Sequence, residues 1–252
     1  MNDSDNIAHG FARALRANER YVAPSLTHAL GAEEAYAVQR AFNALRSEPL
    51  IGFKSAANAP ALQTALGLSG PITGALFATG ERAAGSTIRR GEYRTLLIET
   101  ELGFRTARRI DTPVKSIPEL RAAITTCTPM IELADPGFDR ARMTGTDLIA
   151  ANSASAGFIR GRPATLGAFD VNGVHVSLKR DGHLLHDARS GDLMGDQWQA
   201  LKWLVNRVIE LGYVIDAGHL LMTGSLGPAH PAAPGRYLAA FTGMGEIEFD
   251  IG

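Results

Sequence analysis

The chain has 252 residues, enough for one large domain or two smaller ones and for a sizeable core. Its 25 Lys and Arg against 26 Asp and Glu leave a net charge of -1, which excludes a general attraction to nucleic acid or to an anionic membrane surface. Small molecules or further copies of the chain are the expected partners.

The start, "MNDSDNIAHG", lacks the basic and then apolar segments of a signal peptide, and no apolar run approaches the ~20 residues of a membrane span. The single cysteine, Cys127, cannot form an intramolecular disulfide and reads as a reduced packing residue, so a cytoplasmic protein is expected.

Helical spacing is expected from Ile7 to about Ala17 and from Ala32 to Arg46, where Ala35, Val38, Phe42 and Leu45 share a face. Residues 1–50 therefore read as a helical arm, and residues 51–252 as a β-rich domain of the size of an enzyme; the arm packs on that domain or on a neighbouring subunit. After Pro49, Gly and Pro recur every few residues, a punctuation that suits short strands and turns. Leu96 to Phe104 alternates, with Leu96, Ile98, Leu102 and Phe104 on one face and Leu97, Glu99, Glu101 and Gly103 on the other: a strand.

Ser116 and Glu119 have capping-box spacing and predict a short helix to about Thr126. Asp196 and Gly212 bracket a clearer helix, with Leu201, Val205, Val208 and Leu211 on its buried side. The remaining segments alternate like strands, and "RDGH" suits a hairpin turn. Parallel β-α alternation is not evident.

On a strand, Glu99 and Glu101 point to the same face and can converge on one hard cation. Taken alone, the pair also fits two solvated acids. Glu132, in the apolar run "PMIELADPG", shifts the balance, because an ionised acid is seldom buried without a cation or strong donor. Three carboxylates suit an octahedral oxygen site with positions left for water and substrate. Lys54, in "IGFKSAAN", would need its pKa lowered by roughly three units, about 4 kcal/mol, to act as a free base near neutrality; as a cation it needs no shift. The seven histidines are scattered and read as surface or structural residues, His183 and His186 included. No Walker A loop, dinucleotide G-x-G-x-x-G or H-E-x-x-H occurs, and "SASAG" has Ser153 where a nucleophile elbow has Gly.

These stretches, in order, resemble one family. "GAEEAYAVQ" is similar to its N-terminal helix, "GFKSA" to its lysine motif, "IETELGF" to its E-x-E strand and "PMIEL" to the strand of its third acid. "IAANSASAGFIRG" resembles its D-N-x-S segment, and "ALKWLVNRVIELG" with "GHLLMTGSLGPAHPAAPG" its late helix and glycine-serine loop. The family is that of 2-oxopent-4-enoate hydratase and 4-oxalocrotonate decarboxylase, within the fumarylacetoacetate hydrolase superfamily.

The resemblance implies an α+β fold, a mixed β-sandwich roll with peripheral helices and the N-terminal arm. It implies Mg2+ or Mn2+ on Glu99, Glu101 and Glu132, Lys54 as the catalytic group, and Asn152, Ser155 and Ser225 as substrate contacts. The implied substrate is a 2-oxo acid, and the implied assembly a homo-oligomer or a complex with a related family member. Hydration of 2-hydroxypenta-2,4-dienoate is the leading reaction; decarboxylation of a 4-oxalocrotonate-like oxo-diacid, or a non-catalytic partner subunit, are the alternatives. The chain departs from the pattern at Ile72, where hydratases often carry Asp, and at Ala151, in place of the segment's usual Asp, although Asn152 and Asp147 remain. Ile98 replaces the His of the hydrolase branch and makes carbon-carbon bond hydrolysis the least expected outcome.

Overall fold

The computed structural model describes residues 3–139 and 142–252; Met1, Asn2, Arg140 and Ala141 lie outside the described residues. Its helices are α1 (Asp3–Ala17), α2 (Ala32–Ala44), α3 (Pro60–Leu66), α4 (Ile117–Arg121), α5 (Gly145–Ala150) and α6 (Gln197–Glu210). The strands are β1 (Leu50–Ala56), β2 (Ile72–Phe77), β3 (Glu81–Arg82), β4 (Thr87–Ile88), β5 (Leu97–Thr106), β6 (Ile124–Ala134) and β7 (Ser155–Arg160). They continue with β8 (Ala164–Thr165), β9 (His175–Arg180), β10 (His183–Arg189), β11 (Leu220–Met222), β12 (His230–Pro231), β13 (Gly235–Phe241) and β14 (Gly245–Ile251).

Both helices expected in the first fifty residues form. α1 starts at Asp3 rather than Ile7, with Asp3 and Asp5 in the first turn where the helix dipole favours them. α6 begins where Asp196 Oδ1 accepts from the Trp198 and Gln199 amides at 2.7 and 3.0 Å. Beyond its end comes Gly212, with a φ of 83°.

Two expectations are corrected. Ser116 Oγ does accept from the Glu119 amide at 3.3 Å, but α4 stops at Arg121 and the residues expected to finish it start β6. Ile124, Thr125 and Thr126 are β-branched and favour extended backbone, and the ladder from Thr106↔Ile124 to Leu97↔Ala134 outweighs a weak helical end. In the stretch read as strands and turns, Pro60 opens and Gly67 closes the helix α3. "RDGH" is a hairpin turn between β9 and β10, with positive φ at Asp181 and Gly182.

Among the described residues the main sheet has nine strands in the order β2-β1-β11-β5-β6-β7-β3, with β12 on β5 and β8 on β6. Most pairs are antiparallel; β1 with β11 and β3 with β7 are parallel. The sheet curls until its ends meet, so that Ser155 Oγ on β7 donates to the Ala75 carbonyl on β2 at 2.8 Å. Gly103 faces this interior at a point with no room to spare: a Cβ there would meet Leu220 Cδ1 at 2.8 Å and Met130 Cγ at 2.9 Å.

Register sorts the interior into layers. Leu76, Met130, Phe158, Leu220 and Met222 form one apolar cluster across the roll. Ile72, Leu97 and Ala134 belong to a second, completed by Ala8, Phe11, Tyr21, Tyr36 and Phe42 of the first fifty residues. Lys54, Glu99, Glu101 and Glu132 share the interior face between them. The outer face of β5, with Ile98, Leu102 and Phe104, packs in the largest cluster with α6 and the second sheet, β10-β9-β13-β14-β4. Among the described residues no helix is long and apolar enough to cross a membrane.

Candidate metal centre

β5 puts Glu99 and Glu101 on one face, and its antiparallel neighbour β6 puts Glu132 directly opposite Glu99. One carboxylate oxygen from each lies within 4.8 Å of the others. Lys54 comes from β1, separated from β6 by β11 and β5, yet the curl brings its Nζ to 2.8 Å from Glu132 Oε1. Lys54, Glu101 and Glu132 are buried, and Glu99 is half-buried at the edge of the group.

Glu101 Oε2 accepts from the Gly224 amide at 3.0 Å, whereas Glu101 Oε1 has no hydrogen-bond partner. Neither Glu132 oxygen accepts a hydrogen bond of good geometry; the Lys54 contact is an ion pair. Burial, and then the charges of Glu132 and Glu99, push Glu101 well above the usual carboxylate range, with Lys54 opposing. For Lys54, burial pulls down, but Glu132, Glu99 and Glu101 outweigh it and hold the ammonium above its ordinary value.

Buried oxygens without donors are costly, and three converging carboxylates repel one another. Lys54 balances one of the three charges and leaves two, the charge of a divalent cation. The donor set is all oxygen, which suits a hard ion, and oxygens of Glu101 and Glu132 are left without a hydrogen-bond donor for such an ion to satisfy. The residues fit a divalent metal.

No family model matches the chain. It is 30% identical to the 2-keto-4-pentenoate hydratase of Burkholderia vietnamiensis over 190 residues, 75% of the chain and 72% of that protein. It is 26% identical to the 4-oxalocrotonate decarboxylase of Pseudomonas sp. strain CF600 over 176 residues, 69% of the chain and 67% of that protein. The chain belongs to the 2-keto-4-pentenoate hydratase and 4-oxalocrotonate decarboxylase family. Its fold is of the fumarylacetoacetate hydrolase type. The 4-oxalocrotonate decarboxylase of Pseudomonas putida G7, solved with magnesium and adipate, superposes with a TM-score of 0.92 at 22% identity, covering 99% of this chain and 97% of that one.

Within this hydratase and decarboxylase family, the other residues singled out from sequence take different places. Asn152 is buried and its amide is committed: Nδ2 donates to the Ala75 carbonyl at 2.9 Å, and Oδ1 accepts from the Ala75 amide at 2.8 Å and from Asn43 Nδ2 at 3.1 Å. It pairs with β2 as a strand residue would. Ser155 Oγ likewise donates to Ala75. Ser225 Oγ donates to the Gly227 carbonyl in the loop whose Gly224 holds Glu101.

Ile72 shares the interior face with Lys54, since Ala56↔Ile72 and Lys54↔Gly74 are successive same-face pairs. With Ala151 it belongs to the apolar cluster that includes Phe11, Tyr36 and Phe42 of the N-terminal helices. Asp147 is spent on Ser25 and Thr144. The Gly224 amide was not singled out from sequence; the "TGSLG" glycines were the signal for it. Asn58, whose Nδ2 donates to Ser55 Oγ at 2.8 Å, packs against Gly224 and carried no signal.

Proposed function

We propose that the chain is a divalent-metal-dependent lyase acting on a 2-oxo or 2-hydroxydienoate acid, and that it hydrates 2-hydroxypenta-2,4-dienoate or a close relative. One observation carries this reading: three carboxylate oxygens within 4.8 Å of one another beside a buried ammonium. Glu99, Glu101 and Glu132 would hold Mg2+ or Mn2+. Such an ion supplies Lewis-acid stabilisation of a developing enolate oxygen, several kcal/mol on the transition state.

Lys54 works in this scheme as a cation: it steadies substrate carboxylate or enolate charge, or delivers its proton at Nζ. The neighbouring carboxylates, Glu132 first, favour its charged form. The apolar layers on either side keep water from the depth of the roll, where each charge acts in a low dielectric. Half-buried Glu99 marks the side from which substrate enters, and Ser225, beside the Gly224 amide, is a substrate contact. Asn152 and Ser155 support that wall through Ala75.

The test uses dialysed protein. Mg2+ should bind by calorimetry and should switch on the ultraviolet loss of 2-hydroxypenta-2,4-dienoate, and Glu101→Gln should abolish both. Absence of binding in the wild type would overturn the reading.

A specific feature favours a second reaction. Ile72 and Ala151 are apolar where the resemblance expects acids that guide water or protons, and decarboxylation of a 4-oxalocrotonate-like oxo-diacid needs no water at the reacting carbon. Carbon dioxide release from 4-oxalocrotonate without turnover of the dienoate would move the assignment there. Retention of all three acids and Lys54 argues against a non-catalytic partner subunit.

The protein is proposed to work in the cytoplasm, with residues 1–50 as an arm on the 51–252 catalytic unit. A homo-oligomer, or a complex with a related family member, is the proposed assembly.

A further inference from the structure

The opposite face of β5 carries a second polar arrangement, directly behind the two acids. Thr100, between Glu99 and Glu101, is fully buried among apolar side chains, and its hydroxyl has two neighbours. Leu226 O lies at 2.8 Å and His186 Nε2 at 3.1 Å. A carbonyl can only accept, so the single hydroxyl proton goes to Leu226 and His186 Nε2 must donate to Thr100.

A neutral His186 then keeps Nδ1 as an acceptor, and His230 Nε2, at 2.8 Å, donates to it. The two ring planes are within 5° of parallel, with centroids 5.0 Å apart. His186 comes from β10 of the second sheet, and His230 pairs with Ile98 on β5. One directed chain thus runs from His230 through His186 and Thr100 to Leu226.

Leu226 closes the loop that serves Glu101. Its amide donates to the Thr100 carbonyl at 2.7 Å, so Thr100 grips both polar groups of one peptide residue. At the other end of the loop, Thr223 Oγ1 donates to Gln197 Oε1 at 2.8 Å, and the Thr223 amide to the Leu102 carbonyl at 3.1 Å. Between these anchors, Gly224 adopts a φ of 112° and aims its amide at Glu101 Oε2; a Cβ there would lie 2.1 Å from Asn58 Oδ1. The His186 ring also bounds the loop from outside, since a Cβ on Gly227 would meet its Cδ2 at 2.9 Å.

We infer that His186 and His230 are positioning residues for Glu101: by fixing Leu226 on the back of β5 they hold the Gly224 amide on Oε2 and leave Oε1 turned to the cation site. The inference rests on the metal-centre reading above. It assigns a role to two histidines that touch neither the acids nor Lys54, on the principle that partners behind a ligand orient it and set its affinity.

The experiment compares Mg2+ affinity by calorimetry, and kcat against KM, in His186→Leu, Thr100→Val and His186→Gln. Gln can present an N–H to Thr100 and an oxygen to His230, so it should stay close to wild type. Leu and Val should weaken Mg2+ binding by about 10–100-fold and lower kcat more than they raise KM. Thr100→Val keeps shape and volume, which guards against a folding failure of His186→Leu. Nitrogen NMR should find His186 protonated at Nε2 and bare at Nδ1. Wild-type Mg2+ affinity in folded Thr100→Val, or the opposite tautomer, would overturn this inference alone. Absence of Mg2+ binding by the wild type would overturn the metal-centre reading and this inference with it.

Discussion

Asp135, just past the end of β6, and Asp147, in α5, are buried carboxylates, as are Glu101 and Glu132 inside the roll, and the surroundings of the two pairs are opposite. Asp135 accepts from the Arg94 amide and Nε, the Thr95 amide and hydroxyl, and the Gly137 amide. Asp147 accepts from the amides and hydroxyls of Ser25 and Thr144. Glu101 has one amide, and Glu132 only the Lys54 ion pair. The first two acids hold loops together and need nothing further. The second two leave oxygens open where a third carboxylate converges, which a fold stabilised by its own contacts would not select.

The largest expected effect sharpens this contrast. Glu132→Gln should lower kcat/KM by about 10^3-fold, the several kcal/mol a Lewis acid contributes, and abolish Mg2+ binding in calorimetry while leaving a cooperatively folded protein. Next comes the converse. Asp135→Ala strands the buried Arg94 guanidinium and should cost about 3–5 kcal/mol in urea unfolding, and Asp147→Ala about 1–3 kcal/mol, with Mg2+ still bound by the folded fraction.

Mg2+ at a hundred times its Kd should add about 2.7 kcal/mol to wild-type stability; Asp147→Ala should keep that increment and Glu101→Gln lose it. Equal increments in both would dissolve the distinction between the two pairs of acids.

The smallest effect concerns a buried group of a third kind. His186 is neutral and paired; burial first, then neighbouring His230, lower its pKa to about 4, against a weaker raising influence of Asp187. As pH falls through about 6.5 the unfolded chain takes up this proton before the native state does, so His186 removes stability progressively down to about pH 4. His230, also lowered by burial, acts in the same direction. Urea unfolding at stepped pH should show a shallower loss over this window in His186→Gln than in the wild type. An identical slope would place no burial cost on the ring.

Much of the centre was legible because β-strand geometry is local. Alternation told which residues of 96–104 share a face, so Glu99 and Glu101 had to point the same way. What covers that face was not local. A strand with Ile98, Leu102 and Phe104 on one side reads as half-exposed, yet β5 lies between two cores, and the side with the acids is the inside of the roll. The capping signal at Ser116 located the start of α4, but pairing of β6 with β5 set its end. His186 and His230 are 44 positions apart, and no spacing rule connects them.

By itself, then, the chain's sequence determined the residue types, the two N-terminal helices, the capped late helix and the ordered motifs that carry the family. Those depend on backbone preference and on side chains within a few positions of each other. Only the tertiary structure decided that Lys54 reaches across two strands to Glu132, and that Asn152 and Ser155 turn to β2. It also decided that Gly224 meets Glu101 over a separation of 123 residues. The physical reason is the curl of the sheet: contacts across a closed roll depend on strand order and register, which the pairing of distant segments sets and which no window of the sequence contains.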